Sequence, residues 1–506
     1  MTDPIHTLVT DRAAEMPDTT AILDCDGREV TWAAHRDAIE AAAGLLRARG
    51  LRAGDRLAIV AENCHATAVL VFAASHLGAV SVPVNARMTG AELGRILDHA
   101  TPRLVAFTTG ISAEAAAHAG TFGAETLTTD FGDIALAALP VPAGGDDLPD
   151  GVAVILYTTG TTGAPKGVML SHDNLRFAGN ASANMRDMAP GDRIYGVLPL
   201  THVFGLASML MAASTAGAAI QFEARFHPDR LYEALMGGVT VFPAVPQMHA
   251  LLMAWTRDRG IERLEGSRLR YVSSGAAPLD PAWKRKAEAF YGLALQNGYG
   301  MTESTAGSTG TRNAVGLDDV SVGSALPGTE IALDTSVGSE GDREVGEILT
   351  RGPHVMLGYY RNPEETARTV DADGWLRTGD LGRIDAEGRL HVVGRCKELI
   401  IRGGFNVYPP EVEAALNDHP EVIQSAVIGR GLPGGDEEVL AFVQCVAPET
   451  FDTAALRDFV AGRLVAYKRP TRIVAVAQLP AAPTGKLLKN RLTEVFADRL
   501  AEMERE

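Results

Sequence analysis

The sequence predicts an α/β protein with a large N-terminal domain and a small α+β domain at its C-terminal end. The first observation is length, because 506 residues are more than one hydrophobic core ordinarily organises. The second is an alternation of short β-rich runs with Ala- and Leu-rich helical stretches, which is typical of buried sheets with helices between their strands. The third is a change in this pattern near Gly394.

The strands predicted in the larger part are short runs rich in β-branched and other apolar residues. They are Arg56–Val60, Arg103–Thr108, Val152–Tyr157, Arg193–Leu198, Val239–Pro243 and Leu269–Ser273. Helices such as Asp37–Arg47 and His65–His76 are expected between them. The stretch from Val203 to Gln221 is uncharged, but it is rich in small residues and has no basic flank. We therefore expect a buried helix running into a strand there, and no integral membrane segment.

Beyond Gly394 the sequence predicts a compact α+β unit of ordinary domain size. We place the domain boundary so that residues 1–394 form the N-terminal domain and residues 395–506 form the small domain. The expected elements are strands at Leu390–Val393, Glu398–Ile401, Ser425–Ile428, Val439–Val446 and Arg472–Val476, helices from Pro409 and near Thr453–Leu464, and a polar C-terminal helix.

Composition and charge limit the classes of function. The formal net charge of -17 argues against a general nucleic-acid binder, which needs a basic face. The four cysteines are scattered without metal-ligand spacing, so we expect reduced thiols, no zinc site and a cytoplasmic protein. The N-terminal segment lacks the basic and apolar regions of a signal peptide.

The segment Tyr157-Thr-Thr-Gly-Thr-Thr-Gly-Ala-Pro-Lys-Gly167 follows a predicted strand and has the composition of a phosphate-binding loop. Glycines allow backbone N–H groups to approach an anion, the threonines add hydroxyl donors, and the lysine adds a positive charge. Pro165 precedes Lys166 where a Walker A loop has glycine, so a P-loop NTPase is disfavoured. The residues expected to bind phosphate are Thr158, Thr159, Gly160, Thr161, Thr162, Gly163 and Lys166.

A second glycine-rich motif, Gly429-Arg-Gly-Leu-Pro-Gly434, also follows a predicted strand. It matches the spacing of a dinucleotide-binding loop, but Pro433 and the acidic run Asp436-Glu-Glu438 come next in place of an apolar helix. We interpret this segment as a loop without a nucleotide.

The segment Asn297-Gly-Tyr-Gly-Met-Thr-Glu303 offers the groups that a nucleotide needs. The ring of Tyr299 can stack on a purine, and the amide of Asn297 can bond to the purine's amino edge. Thr302 adds a hydroxyl, and Glu303 offers the hard oxygen ligands that Mg²⁺ prefers beside a polyphosphate. Further along, Asp380 lies in a predicted Thr-Gly-Asp turn, and its carboxylate can accept hydrogen bonds from both ribose hydroxyls.

The loop at 157–167 and four further segments, in the same order, resemble the adenylate-forming superfamily. This superfamily contains acyl-CoA synthetases, nonribosomal peptide adenylation domains and firefly-type luciferases. The four segments are Asn297–Glu303, Gly374-Trp-Leu-Arg-Thr-Gly-Asp380, Gly394-Arg-Cys-Lys-Glu-Leu-Ile-Ile-Arg-Gly-Gly-Phe-Asn-Val-Tyr-Pro409 and Pro483-Thr-Gly-Lys486. The resemblance spans essentially the whole chain, and five ordered motifs are specific. It implies a large domain of stacked αβ subdomains and a small mobile C-terminal domain, as in acyl-CoA synthetases.

The resemblance also implies a reaction in two halves. In the first, ATP and Mg²⁺ activate a carboxylic acid as an acyl-adenylate with release of pyrophosphate, and in the second a thiol displaces AMP. The implied catalytic residues are Lys486, Thr302, Glu303 and His202, with Glu303 as the metal ligand. Beyond the phosphate loop, the implied binding residues are Gly275, Ala276, Ala277, Asn297, Gly298, Tyr299, Gly300, Met301, Asp380 and Arg395 for the nucleotide, and Gly403, Gly404 and Phe405 for the thiol. Lys397 is the implied hinge for rotation of the small domain.

The preferred thiol is coenzyme A. The chain ends 20 residues after Lys486, which leaves no room for a carrier-protein domain, and the segment Arg402–Pro409 is similar to that of acyl-CoA synthetases. A stand-alone enzyme that loads a separate carrier protein, a luciferase-type oxygenase and a catalytically inactive acyl-adenylate-binding homologue remain alternatives. A homodimer is possible, because dimers are common in the superfamily.

The acid is expected to be a small-molecule monocarboxylate with an uncharged fatty, branched or aryl tail. By analogy, its pocket involves Phe204–Met209, Gln247, Ser274–Ala276 and Thr302–Ala306, which are mostly small or apolar. No aspartate lies at 204–206 to pair with the ammonium of an amino acid. Arg225 could bind a second carboxylate, but we favour a surface arginine.

Overall fold

This structure is a computed structural model that describes residues 3–140, 148–159, 165–337, 344–403, 405–432, 437–480 and 487–503. The chain forms two compact units. The first comprises Met1–Ile331 and Thr350–Arg377, and the second comprises Ala332–Leu349 and Thr378–Glu506. The second unit therefore begins earlier than residue 395, because the strand Leu376–Ile384 pairs with the strand Leu390–Arg395. Movement of residues 395–506 as a separate domain stays a prediction.

The first unit contains two large sheets whose central strands are parallel. In one, six neighbouring strands are parallel and the strands at both edges are antiparallel. Within the described residues its order is Ser324–Ala325, Thr309–Gly310, Leu295–Tyr299, Tyr271–Ser274, Val241–Ala244, Arg193–Gly196, Ala219–Phe222, Thr20–Leu23 and Glu29–Thr31. In the other, the described strands are ordered Gly358–Tyr359, Pro165–Ser171, Val152–Thr159, Val80–Asn85, Arg56–Ala61, Leu104–Phe107, Gly132–Ala138 and Glu125–Thr129.

Helices cover these sheets, and their ends follow local signals in the sequence. Thr89 and Glu92 form a reciprocal capping box at the start of Gly90–Ala100, and Asp280 caps Pro281–Tyr291, which ends at Gly292 with a φ of 67°. The other described helices of this unit are Thr7–Glu15, Trp32–Ala48, His65–His76, Ala113–Thr121, His172–Met185, Val203–Gly205, Leu206–Met211, Ala212–Ala216, Pro228–Met236, Pro246–Arg257 and Pro363–Thr369, with a 3₁₀ turn at Thr302–Ser304.

The predicted α/β alternation is confirmed, since each predicted strand of the first unit overlaps an observed one. The segment from Val203 is also as expected. It forms a buried helical stretch, with π-helical turns at Leu206–Met211, and leads into the strand Ala219–Phe222. Among the described residues, every helix is too short or too polar to cross a membrane.

The second unit is α+β, as predicted. Its described strands form a sheet of Glu330–Asp334, Gly346–Arg351, Leu376–Ile384 and Leu390–Arg395, a hairpin of Ile400–Arg402 and Phe405–Val407, and a sheet of Gln424–Gly431, Glu437–Gln444 and Arg472–Val476. Its helices are Pro409–Asn417, Thr453–Ala461, Leu492–Val495 and Ala497–Met503, with 3₁₀ turns at Thr335–Val337, Cys396–Glu398, Ala466–Lys468 and Lys489–Arg491.

Two local predictions for this unit are wrong. Gly429–Gly431 does not form a loop but continues the strand from Gln424, because Arg430 pairs with Glu438 of the next strand. Thr378-Gly-Asp380 is not a turn but part of the strand Leu376–Ile384. Gly379 has a φ of 72° there, which a residue with a side chain would adopt only with strain.

Candidate active site

The two arms of the predicted phosphate loop form an antiparallel pair of strands. Thr158 lies opposite Lys166, and Thr159 lies opposite Pro165. The phosphate contacts predicted for Gly160, Thr161, Thr162 and Gly163 involve the segment 160–164, which lies outside the described residues. The fold therefore brings the first threonines and the lysine of the motif to the same end of one hairpin.

Lys166 is held by two residues that the sequence interpretation missed. Its ammonium forms an ion pair with the carboxylate of Glu365 and lies 5.0 Å from the ring centroid of Tyr359. Tyr359 is positioned by strand pairing with Val168, next to the lysine arm. The only signal in the sequence was Gly358-Tyr-Tyr360 ahead of a helix start at Asn362-Pro-Glu-Glu365, which carries no distance information.

Glu303 lies at the other end of the same tyrosine. The Tyr359 hydroxyl donates a 2.9 Å hydrogen bond to Glu303 Oε1, and both side chains are buried. Burial and the neighbouring Glu303 carboxylate raise the pKa of Tyr359, so the phenol stays protonated and able to donate. Tyr359 thus contacts both residues, Lys166 through its ring and Glu303 through its hydroxyl.

The turn that carries Thr302 and Glu303 is strained and tightly bonded. Thr305 and Ala306 both have positive φ, 46° and 81°, which is uncommon for residues with side chains. The Thr305 hydroxyl donates to the carbonyl of His354 at 2.7 Å, and the backbone N–H of Met356 donates to the carbonyl of Glu303 at 2.9 Å. Such strain persists where the surrounding structure fixes the backbone, and it is frequent at ligand sites.

The segments expected to hold a nucleotide lie at the carboxyl ends of neighbouring parallel strands. Ser274 pairs with Asn297, so Gly275–Ala277 follow the end of one strand beside Gly298 and Tyr299, which end the neighbouring strand and lead into Gly300 and Met301. Ala276 and Ala277 are exposed, and Ala276 has a φ of 66°. This edge is where open α/β sheets bind their ligands.

The glycines in these segments have steric reasons. A Cβ on Gly300 would collide with the carbonyl oxygen of Ala306, and a Cβ on Gly298 would lie 2.9 Å from the carbonyl oxygen of Thr309. A Cβ on Gly275 would lie 3.3 Å from the ring of Phe204. A side chain at Gly298 would therefore displace the neighbouring strand, and a side chain at Gly300 would displace the turn at Ala306.

Asn297 has a structural role that the sequence did not indicate. Its buried amide donates to the carbonyl of Ser321 at 3.1 Å and accepts from the backbone N–H of Gly298 at 2.9 Å. The side chain therefore holds the loop beside Tyr299, which is itself half-buried. Its expected contact with a purine stays a prediction.

The segment that leads to His202 is held by Asn63, a residue that the sequence analysis did not identify. The buried amide of Asn63 donates to the carbonyls of Gly196 and Leu198 and accepts from the N–H of Leu200, each at 2.8 Å. Asn63 thereby holds the end of a strand and the start of the segment before His202. The imidazole is exposed, yet the surrounding protein and the positive charge of Arg87 lower its pKa.

Arg225 forms ion pairs with two carboxylates of the protein itself. Its guanidinium forms hydrogen-bonded ion pairs with Glu62 and Glu114. The Glu62 side chain is almost fully buried, at 3% exposure, and needs this positive charge. The partly exposed arginine thus agrees with the preferred interpretation as a surface residue rather than a ligand for a second substrate carboxylate.

In the second unit, the fold brings together the two residues expected at the ribose. Asp380 and Arg395 are cross-strand partners, and Arg395 Nε lies 3.3 Å from Asp380 Oδ1. The arginine side chain is about half exposed, at 48%, so it is accessible to a ligand. Lys397 follows in the short turn Cys396–Glu398.

The loop expected to serve the thiol lies between two short strands. Gly403 has a φ of 59°, and Gly404 lies outside the described residues. The exposed ring of Phe405 stacks on Tyr467, with centroids 4.8 Å apart. Arg402 Nη1 donates to the carbonyls of Tyr467 and Arg469, which fastens the loop to that segment. Lys486, the expected catalytic lysine, also lies outside the described residues.

Two family models match the chain. Residues 9–360 match the model described as AMP-binding enzyme, and residues 411–486 match the AMP-binding enzyme C-terminal domain. These matches cover both units and most of the chain.

Curated relatives and solved structures match along nearly the whole length. A sulfoacetate–CoA ligase of Cupriavidus necator is 33% identical, covering 97% of this chain and 97% of the relative. A 4-coumarate–CoA ligase 2 of Oryza sativa subsp. japonica is 32% identical, covering 98% and 92%. ATP-bound MatB from Rhodopseudomonas palustris is 33% identical with a TM-score of 0.83, covering 98% and 99%. The o-succinylbenzoate CoA synthetase MenE from Bacillus subtilis, solved with ATP and magnesium, is 27% identical with a TM-score of 0.82, covering 97% and 99%.

Proposed function

This chain belongs to the family of AMP-binding enzymes, and from that premise we propose how its residues divide the work of an acyl-CoA synthetase. The enzyme is an AMP-forming carboxylate–CoA ligase. It uses ATP to convert a carboxylic acid to an acyl-adenylate and pyrophosphate, and it then transfers the acyl group to coenzyme A with release of AMP.

The chain of contacts from Lys166 through Tyr359 to Glu303 carries this proposal. It joins a cation at the base of the phosphate loop to a carboxylate whose oxygens are the hard ligands that Mg²⁺ prefers. Glu303 fits the metal, because its carboxylate is fixed by a hydrogen bond and is the acidic member of the strained 302–306 turn. Mg²⁺ bound there would neutralise charge on the nucleotide phosphates.

In the first half-reaction, a carboxylate oxygen of the acid attacks the α-phosphorus, a new O–P bond forms, and the bond to pyrophosphate breaks. We assign Lys166 and the 158–163 segment to the departing β- and γ-phosphates, and Lys486 to the bridge between the carboxylate and the α-phosphate. Thr302 adds a hydroxyl donor beside them. We assign His202, which follows the segment that Asn63 holds at Leu200, to the acyl side of the site. These residues act by positioning and by stabilising phosphoryl charge.

In the second half-reaction, the thiol of coenzyme A attacks the acyl carbon and the AMP phosphate oxygen leaves. We assign the ribose contacts to the Asp380–Arg395 pair, which offers an acceptor and a cation together. Rotation at Lys397 would bring Gly403, Gly404 and Phe405 to the thioester stage. The exposed Phe405–Tyr467 stack supports a role for this loop in binding a ligand.

We propose an uncharged fatty, branched or aryl monocarboxylate as the acid. The Phe204 ring lies against Gly275, and the helix behind it presents Leu206, Ala207 and Met209, all fully buried. Arg225 is neutralised by Glu62 and Glu114, which argues against its use for a second carboxylate. A cytoplasmic location is supported by four free cysteines, and a homodimer is proposed from the resemblance alone.

The test uses both half-reactions and a panel of acids. ATP–pyrophosphate exchange should occur with the true acid, and thioester should form with free coenzyme A. Lys486→Ala should abolish exchange while retaining thioester formation from supplied acyl-adenylate. Equal loss of both halves in this variant contradicts the assignment of Lys486, exchange without thioester indicates a carrier protein as acceptor, and no exchange with any acid indicates an inactive homologue.

A further inference from the structure

Glu365 is a fixed carboxylate beside the phosphate-loop lysine. Its oxygen Oε1 pairs with the Lys166 ammonium, and the two side chains are 27% and 22% exposed. Its backbone N–H donates to Asn362 Oδ1 at 3.1 Å, which caps the helix Pro363–Thr369. Arg368 approaches the other carboxylate oxygen at 3.5 Å. The helix start therefore holds the Glu365 carboxylate in a defined place.

Lys166 is enclosed on a second side by the ring of Tyr359. The ammonium lies 5.0 Å from the ring centroid, within the range of a cation–π interaction. The strand that carries Tyr359 is bonded to the lysine arm, since the backbone N–H of Tyr360 donates to the carbonyl of Gly167 at 2.7 Å. The ammonium, the ring and the Glu365 carboxylate are thus parts of one assembly within the first unit.

The ammonium of Lys166 is the group assigned above to the β- and γ-phosphates. A carboxylate beside that ammonium repels an arriving polyanion and competes for the same N–H donors. We infer that Glu365 competes with pyrophosphate for Lys166 and thereby eases the release of pyrophosphate after adenylation. This inference rests on the proposed role of Lys166, and it gives Glu365 a positioning role.

Binding of Mg²⁺-pyrophosphate, measured by calorimetry, tests the inference in the full chain. Glu365→Gln keeps the size and helix position of the side chain but removes the competing charge. Because a partly exposed ion pair contributes modestly, we expect pyrophosphate to bind roughly three- to five-fold more tightly. AMP, which has no β- or γ-phosphate, should bind the variant and the parent equally. Unchanged or weaker binding of pyrophosphate would overturn the inference.

Further variants test whether the change in pyrophosphate affinity is specific to Glu365 and acts through Lys166. Glu364→Gln is the matched control, because this neighbouring glutamate is 86% exposed. The Glu364→Gln variant should bind pyrophosphate with the same affinity as the parent. Lys166→Ala should bind pyrophosphate weakly, and adding Glu365→Gln to it should give no tightening. Tightening in that double variant also contradicts the inference.

These variants separate the inference from the function on which it rests. If Lys166→Ala binds pyrophosphate as the parent does, the role assigned to the lysine fails and the inference fails with it. If Lys166→Ala weakens binding but Glu365→Gln does not strengthen it, only the inference fails. Thermal unfolding of each variant, compared with the parent, confirms that the proteins compared are folded.

Discussion

The hydroxyl of Tyr359 donates a 2.9 Å hydrogen bond to the carboxylate of Glu303. The two residues are 56 positions apart, and both are buried, at 6% and 8% exposure. Tyr359 lies in this position because its strand pairs with the arm of the hairpin that carries Lys166, so one strand pairing orients residues of both proposed sites. The proposed metal ligand is thereby oriented by a residue next to the proposed phosphate ligand.

Tyr359→Phe should raise the Mg²⁺ concentration needed for adenylation. Partners that orient a metal ligand typically contribute about ten-fold in metal affinity, and the loss should appear in the Mg²⁺ dependence of ATP–pyrophosphate exchange. Tyr232→Phe is the control, because that ring packs on Trp255, where the helices Pro228–Met236 and Pro246–Arg257 meet. An unchanged Mg²⁺ dependence in Tyr359→Phe would show that Glu303 does not need this bond.

The sequence predicted the central strands well because their patterns are local. The run at 56–60 is followed by the helix His65–His76, which is buried except at His76, and neither element needs distant residues to be recognised. By contrast, Gly429–Gly434 is predicted as a loop from its sequence, because Pro433 and an acidic run follow it in place of an apolar helix. Residues 429–431 nevertheless extend the strand from Gln424, because they pair with 437–439, and this long-range pairing is not visible in the local sequence.

The candidate site residues also differ in how far they can be predicted from local sequence. Lys166 and Glu303 lie in motifs with several polar groups, which is why the sequence predicts them as site residues, whereas Tyr359 and Glu365 lie in a segment of ordinary composition. Asn63 is even harder to predict, because its three hydrogen bonds join it to residues that are 133 to 137 positions away in the sequence. Such long-range contacts leave no spacing signal in a single sequence.

Asp380→Asn should weaken nucleotide binding. The substitution removes the negative charge that pairs with Arg395 and one of the two carboxylate oxygens that, in the proposed complex, accept from the ribose hydroxyls, so we expect at least a roughly ten-fold rise in the Kd for AMP. Calorimetry with AMP measures this directly. Glu387→Gln, an exposed glutamate in the hairpin turn of the same sheet, should bind AMP as the parent does. Equal affinities in all three proteins would exclude Asp380 from the nucleotide site.

Lys397→Pro should separate the two half-reactions. Proline fixes φ at about -65° and removes a backbone N–H, so the turn Cys396–Glu398 could no longer change its dihedral angles freely. We expect thioester formation to slow by about ten-fold or more while ATP–pyrophosphate exchange continues. Unchanged rates in both halves would mean that the hinge lies elsewhere.

Arg186→Ala should destabilise the first unit. The buried guanidinium donates to the carbonyl and hydroxyl of Ser208, and the described residues give it no carboxylate partner. Burial lowers the pKa of Arg186. Truncation leaves a cavity and an unsatisfied carbonyl in the π-helical turns, which should cost about 3 kcal/mol in the free energy of unfolding. Urea unfolding measures the loss.

Arg186→Met is the matched comparison for this prediction. Methionine fills much of the volume without placing a charge in the core, so it should recover more than half of the stability lost in Arg186→Ala. If both variants lose the same stability, the hydrogen bonds to Ser208 outweigh packing. If Arg186→Ala unfolds at the same urea concentration as the parent, the buried guanidinium contributes no net stability.

His249 should make the first unit sensitive to mild acid. The ring is fully buried between Tyr291 Oη at 2.8 Å and the carbonyl of Ser273 at 3.1 Å, and burial lowers its pKa to about 4. In the unfolded chain the imidazole titrates near its ordinary value of about 6.5. Between these two values the unfolded state binds more protons, so stability falls as the pH falls, by about 2 kcal/mol from pH 7 to pH 5. His249→Gln should lose correspondingly less stability over this range in urea unfolding, whereas the exposed His227→Gln should lose as much as the parent. A His249→Gln variant with the parent's full pH dependence would place the acid-sensitive group elsewhere.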